Sequence, residues 1–126
     1  MTSDAIETVW AVIRGEADLS ALESVGVEMR VEEDGTERKV TLKAPPAIRV
    51  SPQPVDLARG LVIHGRNPNK LRDWASFILA ASDLIDLQGV DQWPEGDEIL
   101  SALWDASFAG RLTDSELRVV EALVKS

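Results

Sequence analysis

One histidine, no cysteine and no tyrosine leave few side chains that could carry out chemistry. His64 is followed by Gly65-Arg66-Asn67, near a predicted helix end. A general base or an activated nucleophile needs a partner within hydrogen-bond reach. Asp56 is eight residues earlier, roughly two turns along the same helix, and does not touch it locally. His64 therefore reads as a helix-terminal histidine that meets the dipole or capping carbonyls.

Carboxylates are the other candidates. Glu32-Glu33-Asp34-Gly35 lacks the alternating ligands and downstream Glu of a calcium-binding loop. Asp83 and Asp86 are i, i+3 neighbours with the spacing to share a cation. Together with Asp91, Glu95, Asp97 and Glu98 they read more simply as solvated charge and as helix N-terminal preference. No carboxylate spacing favours glycoside-type hydrolysis. Gly60-Leu61-Val62-Ile63-His64-Gly65 lacks the Lys-Ser/Thr of a phosphate loop. There is no GxGxxG, GxSxG or HExxH. The expectation is a non-enzyme with no catalytic residues, no metal and no cofactor.

The four tryptophans carry more information. Trp10 and Trp74 lie on apolar faces and read as core. Trp104 follows Leu103, near Ile99, Leu100 and Phe108, and reads as core or rim. Trp93 sits in Asp91-Gln92-Trp93-Pro94-Glu95 and is the best candidate for an exposed aromatic. Tryptophan is enriched at binding hot spots, and acidic neighbours complement a basic partner. The expected partner-binding residues are Asp91, Trp93, Glu95, Asp97 and Glu98.

These residues have to be positioned by local structure. Asp4 and Glu7 have capping-box spacing, and Ile6, Val9, Trp10 and Ile13 follow on one helical face up to Gly15. Asp18 caps a short turn carrying Leu19 and Leu22. Val25, Val27, Met29 and Val31 then alternate with polar residues, as in a half-buried strand. Asp34-Gly35 is a hairpin dipeptide, and Val40 and Leu42 alternate after it. A two-residue loop there sets Met29 opposite Val40 and Val27 opposite Leu42, but also Arg30 against Lys39 and Glu32 against Glu37, which is unfavourable.

Pro45, Pro46, Pro52 and Pro54 mark a connection over 45–54, with Ile48-Arg49-Val50 as a short edge strand. Everything after Pro54 reads helical. Val55, Ala58, Leu61 and Val62 form a face to about His64. Asn67 or Asn69 caps a buried core helix over 69–86, through Leu71, Trp74, Ile78, Ala81 and Ile85. Pro94 starts a helix with Ile99, Ala102, Leu103 and Ala106 inward, ended by Gly110. Thr113-Asp114-Ser115-Glu116 is a full capping box for the last helix. The expected fold is α+β: an N-terminal helix and small antiparallel β-hairpin packed beside a C-terminal four-helix bundle. One domain spans 1–126, with 1–44 the helix plus hairpin and 55–126 the bundle.

The chain has 126 residues, 22 acidic and 13 basic, for a net charge of -9. Residues 45–82 form a basic island with Arg49, Arg59, Arg66, Lys70 and Arg72 against two acids. It reads as internal charge balance, and the acidic whole argues against nucleic-acid binding. The longest apolar run, Phe77 to Ala81, is far too short for a membrane span, and the start resembles no secretory signal. The expected location is the cytoplasm. The function that fits is a small acidic protein-binding module with a basic protein as partner, in concrete form an immunity-type neutraliser of a basic toxin or nuclease. The alternative is a homo-oligomeric assembly module, such as a homodimer through the hairpin edge or a bundle face.

Overall fold

The computed structural model describes residues 2–34, 37–43, 49–81 and 84–125. Helix α1, Thr2–Arg14, buries Ala5, Val9, Val12 and Ile13 along one side. It starts ahead of Asp4, whose side chain lies outside the described residues. It stops at Gly15, whose φ of 82° is left-handed and favours glycine. A 3-10 turn over Leu19–Val25 buries Leu22. Asp18 precedes that turn without a side-chain cap and sits 3.6 Å from the Lys70 ammonium.

Strands β1, Glu28–Asp34, and β2, Glu37–Lys43, pair antiparallel. Val25 and Val27 precede β1 rather than belonging to it. The register is shifted by two residues from the expected one. Met29 faces Leu42, Val31 faces Val40, Glu32 faces Lys39, Glu33 faces Arg38 and Glu28 faces Lys43. A shift of two preserves which face each residue occupies. It also removes the Arg30–Lys39 and Glu32–Glu37 oppositions and places residues of opposite charge across the ladder at three positions, with one like-charge opposition, Asp34 and Glu37, at its end. The ladder closes at Asp34 and Glu37, so Asp34 is a paired strand residue rather than half of a two-residue turn, and Gly35 lies outside the described residues.

The expected α+β class is overturned: the molecule is mostly helical. This single two-stranded ribbon makes no sheet layer of its own. Among the described residues the buried cluster is drawn from the helices and the turns between them. Helix α1 is not set apart in an N-terminal α/β half either. Its Val9, Val12 and Ile13 share one cluster with Leu57, Trp74, Leu103 and Val120.

Ala44 to Ile48, including Pro45 and Pro46, lie outside the described residues. Val50 forms one parallel bridge with Ile85, in which the Val50 amide donates to Leu84 at 2.9 Å and Asp86 donates back at 2.8 Å. That bridge explains why the core helix does not reach residue 86. Helix α3, Pro68–Ala80, ends at Ala81, and Ile85 is held by Val50 instead. Asn67 caps α3, its side chain accepting from the amides of Asn69 at 3.0 Å and Lys70 at 3.3 Å.

Helix α2, Pro54–His64, turns Leu57, Ala58 and Leu61 fully inward, leaving Val55 and Val62 half-buried. Helix α4, Gly96–Ala109, begins two residues after Pro94 and closes on Gly110, which has a φ of 69°. Helix α5, Asp114–Lys125, has its capping box in place. The Thr113 amide donates to Glu116 at 2.8 Å, and the Thr113 hydroxyl accepts from the Glu116 amide at 3.2 Å. Helix α3 packs chiefly on α4, while α2 touches α1, α3, α4 and α5.

Candidate functional site

His64 is 5% exposed at the end of α2. Its Nε2 lies 3.1 Å from the Val12 carbonyl oxygen. A carbonyl only accepts, so Nε2 carries the proton and donates. Trp74 Nε1 donates to the same oxygen at 2.9 Å, and the two rings stack at 5.1 Å and 23°. Burial pushes the histidine pKa below its ordinary value, against the smaller opposing pull of the Val12 hydrogen bond. The imidazole is thus committed to tying the end of α1 to α2 and α3, rather than to the end of its own helix.

At the first turn of α2, Arg14 Nε donates to Asp56 Oδ1 at 3.1 Å, while its guanidinium lies over the Trp10 ring at 4.8 Å. Asp56 Oδ2 accepts from the Gln53 amide at 3.0 Å at the start of α2. Trp10 is therefore half-buried beneath an arginine, and Trp74 is the tryptophan fully in the core.

The basic island is divided. Arg49 lies 3.6 Å from Asp86, and Lys70 pairs with Asp18, while Arg59 and Arg66 are exposed. Asp83, whose spacing from Asp86 would let the two share a cation, lies outside the described residues, and Asp86 also accepts from the Gln88 amide at 3.0 Å. Among the described residues, no group of three His, Cys, Asp or Glu side chains is arranged to hold a metal ion.

The five expected partner-binding residues all face solvent. Asp91 is in a 3-10 turn over Val90–Gln92, and Trp93 follows it, 48% exposed. Glu95 is a non-glycine residue with left-handed backbone, φ 63° and ψ 9°. Asp97 and Glu98 occupy the first turn of α4. Gly96 is buried so tightly on the Val90 carbonyl that a Cβ would lie 1.9 Å from its oxygen. This contact docks the 3-10 turn against the start of α4. Trp93 also borders a shallow depression of about 260 Å³ with Pro52, Gln53 and Asp86.

Two further residues extend the surface, and sequence reasoning did not place them there. Trp104 is 55% exposed and Phe108 75% exposed, and their rings stack at 6.3 Å and 21°. At 3.6 residues per turn, Asp97, Ser101, Trp104 and Phe108 form one row along α4, directly opposite Ile99, Ala102, Leu103 and Ala106. Glu98 and Asp105 form a second row on its flank. From Asp97 to Phe108 the row extends about 16 Å at 1.5 Å per residue. Residues 73–110 contain eight acids and no Lys, Arg or His, so the charges that α4 itself contributes to this face are all negative. At its C-terminal end a groove of about 540 Å³ opens between α4 and α5, lined by Asp105, Phe108, Arg111, Leu112, Thr113 and Asp114.

Compared with models of protein families, with curated proteins and with solved structures, the chain finds no match. Among the described residues no helix is long and apolar enough to cross a membrane.

Proposed function

We propose that the protein is a small acidic protein-binding module that engages a basic protein through the outward face of α4 and the Trp93 turn before it. The observation that carries this reading is the solvent-facing Trp104–Phe108 stack on a helix whose only charged residues are acids. Large aromatics turned outward together, with neighbours of a single sign, suit a partner of opposite charge. Neutralisation of a basic toxin or nuclease, as an immunity protein performs it, is the concrete form of this activity. Self-association through the same face fits less well, because a second copy would bring acids against acids.

The test has two steps. A tagged chain is used to capture partners from its native cell extract, with elution by stepped salt and identification by mass spectrometry. Affinity for the purified partner is then measured for Trp104→Ala and for the combined change Asp91→Asn, Glu95→Gln, Asp97→Asn, Glu98→Gln. The aromatic change should weaken binding about tenfold or more, as hot-spot truncations do. The amide set should chiefly slow association and flatten its salt dependence. Unchanged affinity in both variants removes α4 from the reading, and recovery of the bait alone removes the basic partner.

A further inference from the structure

We infer that the corner between α4 and α5 is a seat for an arginine side chain of that partner; the inference rests on the acidic-module reading and gives its surface a specific chemistry. The groove there has an aromatic wall, Phe108, backed by Trp104, and carboxylates at Asp105 and Asp114. It also borders Ala109, the last residue of α4, where the negative end of the helix dipole favours a cation. A planar guanidinium can lie on a ring and donate to carboxylates in one pose, whereas an ammonium is a hydrated point charge that does one or the other less well.

The chain already builds this arrangement internally. Arg14 covers the Trp10 ring at 4.8 Å while its Nε donates to Asp56 at 3.1 Å. The outward corner repeats the two receptor parts, an aromatic face and a nearby carboxylate, at the edge of a segment without a cation of its own. Two elements oppose this seat: Arg111, in the same lining, repels an incoming guanidinium, and the positive N-terminal end of α5 at Thr113 and Asp114 offsets the pull of the α4 terminus. An acidic partner or a second copy of this chain would meet Asp97, Glu98 and Asp105 along the approach.

The test uses the full chain and a defined probe: a short amphipathic peptide with arginines on one face and leucines on the other. Lysine-for-arginine and glutamate-for-arginine versions serve as comparisons. The four tryptophan indole N–H resonances, assigned by substitution, report where the peptide sits. The Trp104 resonance should move saturably with the arginine peptide, severalfold more weakly with the lysine peptide, and not with the glutamate peptide. Phe108→Ala should weaken the arginine peptide about tenfold. Asp105→Asn should weaken it several-fold and Arg111→Gln should tighten it, since each changes one charge beside the seat. Phe108 is exposed enough for its substitution to leave the fold intact, which circular dichroism verifies.

Equal affinity of arginine and lysine peptides, or full affinity in Phe108→Ala, overturns the arginine seat. So does movement of Trp93 without Trp104, which leaves the acidic module standing with its contact at the other end of α4. If no basic peptide binds, the seat falls, and salt-eluted capture of the natural partner still decides the broader reading separately.

Discussion

Gly60 lies in the interior of α2, where helix propensity alone makes Gly→Ala favourable by about 0.5–1 kcal/mol. Here the sign should reverse. A Cβ at Gly60 would sit 2.1 Å from the Ile13 carbonyl oxygen and 2.2 Å from Trp74 Cζ2. Both lie more than 1 Å inside ordinary contact distance, roughly 3.4–4 Å. Neither is the flexible end of a side chain, since one is main chain and the other a fully buried ring. Overpacking costs roughly 1–3 kcal/mol. Relief requires moving α1 away from α2 or turning the indole. Either motion strains the two hydrogen bonds that His64 and Trp74 make to Val12, each worth roughly 0.5–1.5 kcal/mol. Gly60→Ala should therefore destabilise by about 2–4 kcal/mol. Gly89→Ala is the control, because a Cβ there meets nothing within 4 Å. It should change stability by no more than about 0.5 kcal/mol. Urea unfolding followed by circular dichroism measures both. A Gly60→Ala protein as stable as the parent would refute the close approach of α1, α2 and Trp74.

His64 titration gives a second test. Because burial lowers its folded pKa, the unfolded chain takes up a proton first as pH falls below about 6.5. Its contribution is full above that pH and is lost on acidification, by at most about 1.4 kcal/mol per pH unit, until the folded pKa is reached. Asp18 and Lys70 exert weaker, opposite influences. His64→Gln should remove this component of the pH dependence; an identical pH profile in the two proteins would contradict it. Glu95→Gly should stabilise the protein by about 0.5–1 kcal/mol, because it relieves left-handed backbone at φ 63° while adding chain entropy to the unfolded state. A lower urea midpoint for this variant would show that the Glu95 side chain has a stabilising role that outweighs the strain.

The helices were legible wherever apolar period and terminal chemistry agreed. Asn67 before Pro68, and Thr113 with Glu116, are local signals whose hydrogen bonds form within a few residues. The end of α3 was not legible for the opposite reason. Leu71, Trp74, Ile78, Ala81 and Ile85 keep helical spacing, and only the pairing of Val50 with Ile85 shows that the last of them belongs to a bridge. The hairpin register shows the weight of charge. The two like-charge oppositions expected of an Asp34-Gly35 loop are absent from the observed register, which sets opposite charges across from each other at three positions and like charges at one, Asp34 and Glu37. The class is not legible because alternation over 25–42 looks like one face of a sheet layer, whereas the strands form a two-stranded ribbon that cannot enclose a core.

The surface was half legible, and the missing half shows how composition misleads. Trp93 stood out because Asp91, Pro94 and Glu95 surround it in sequence. Trp104 did not, because Leu103 precedes it and hydrophobic neighbours suggest core. The decisive signal was angular. Ile99, Ala102, Leu103 and Ala106 already fill the inward side of α4, and Trp104 and Phe108 fall half a turn away, in line with Asp97. A residue's neighbours in sequence are not its neighbours on a helix. The same geometry accounts for why the stack stays outside. Turning it inward would rotate Ile99 and Leu103 into water and bring Asp97 toward the buried cluster, exchanging buried aliphatic area for a desolvated carboxylate. The inward row thus fixes the outward one, and the exposed aromatics sit where the core of α4 forces them to be.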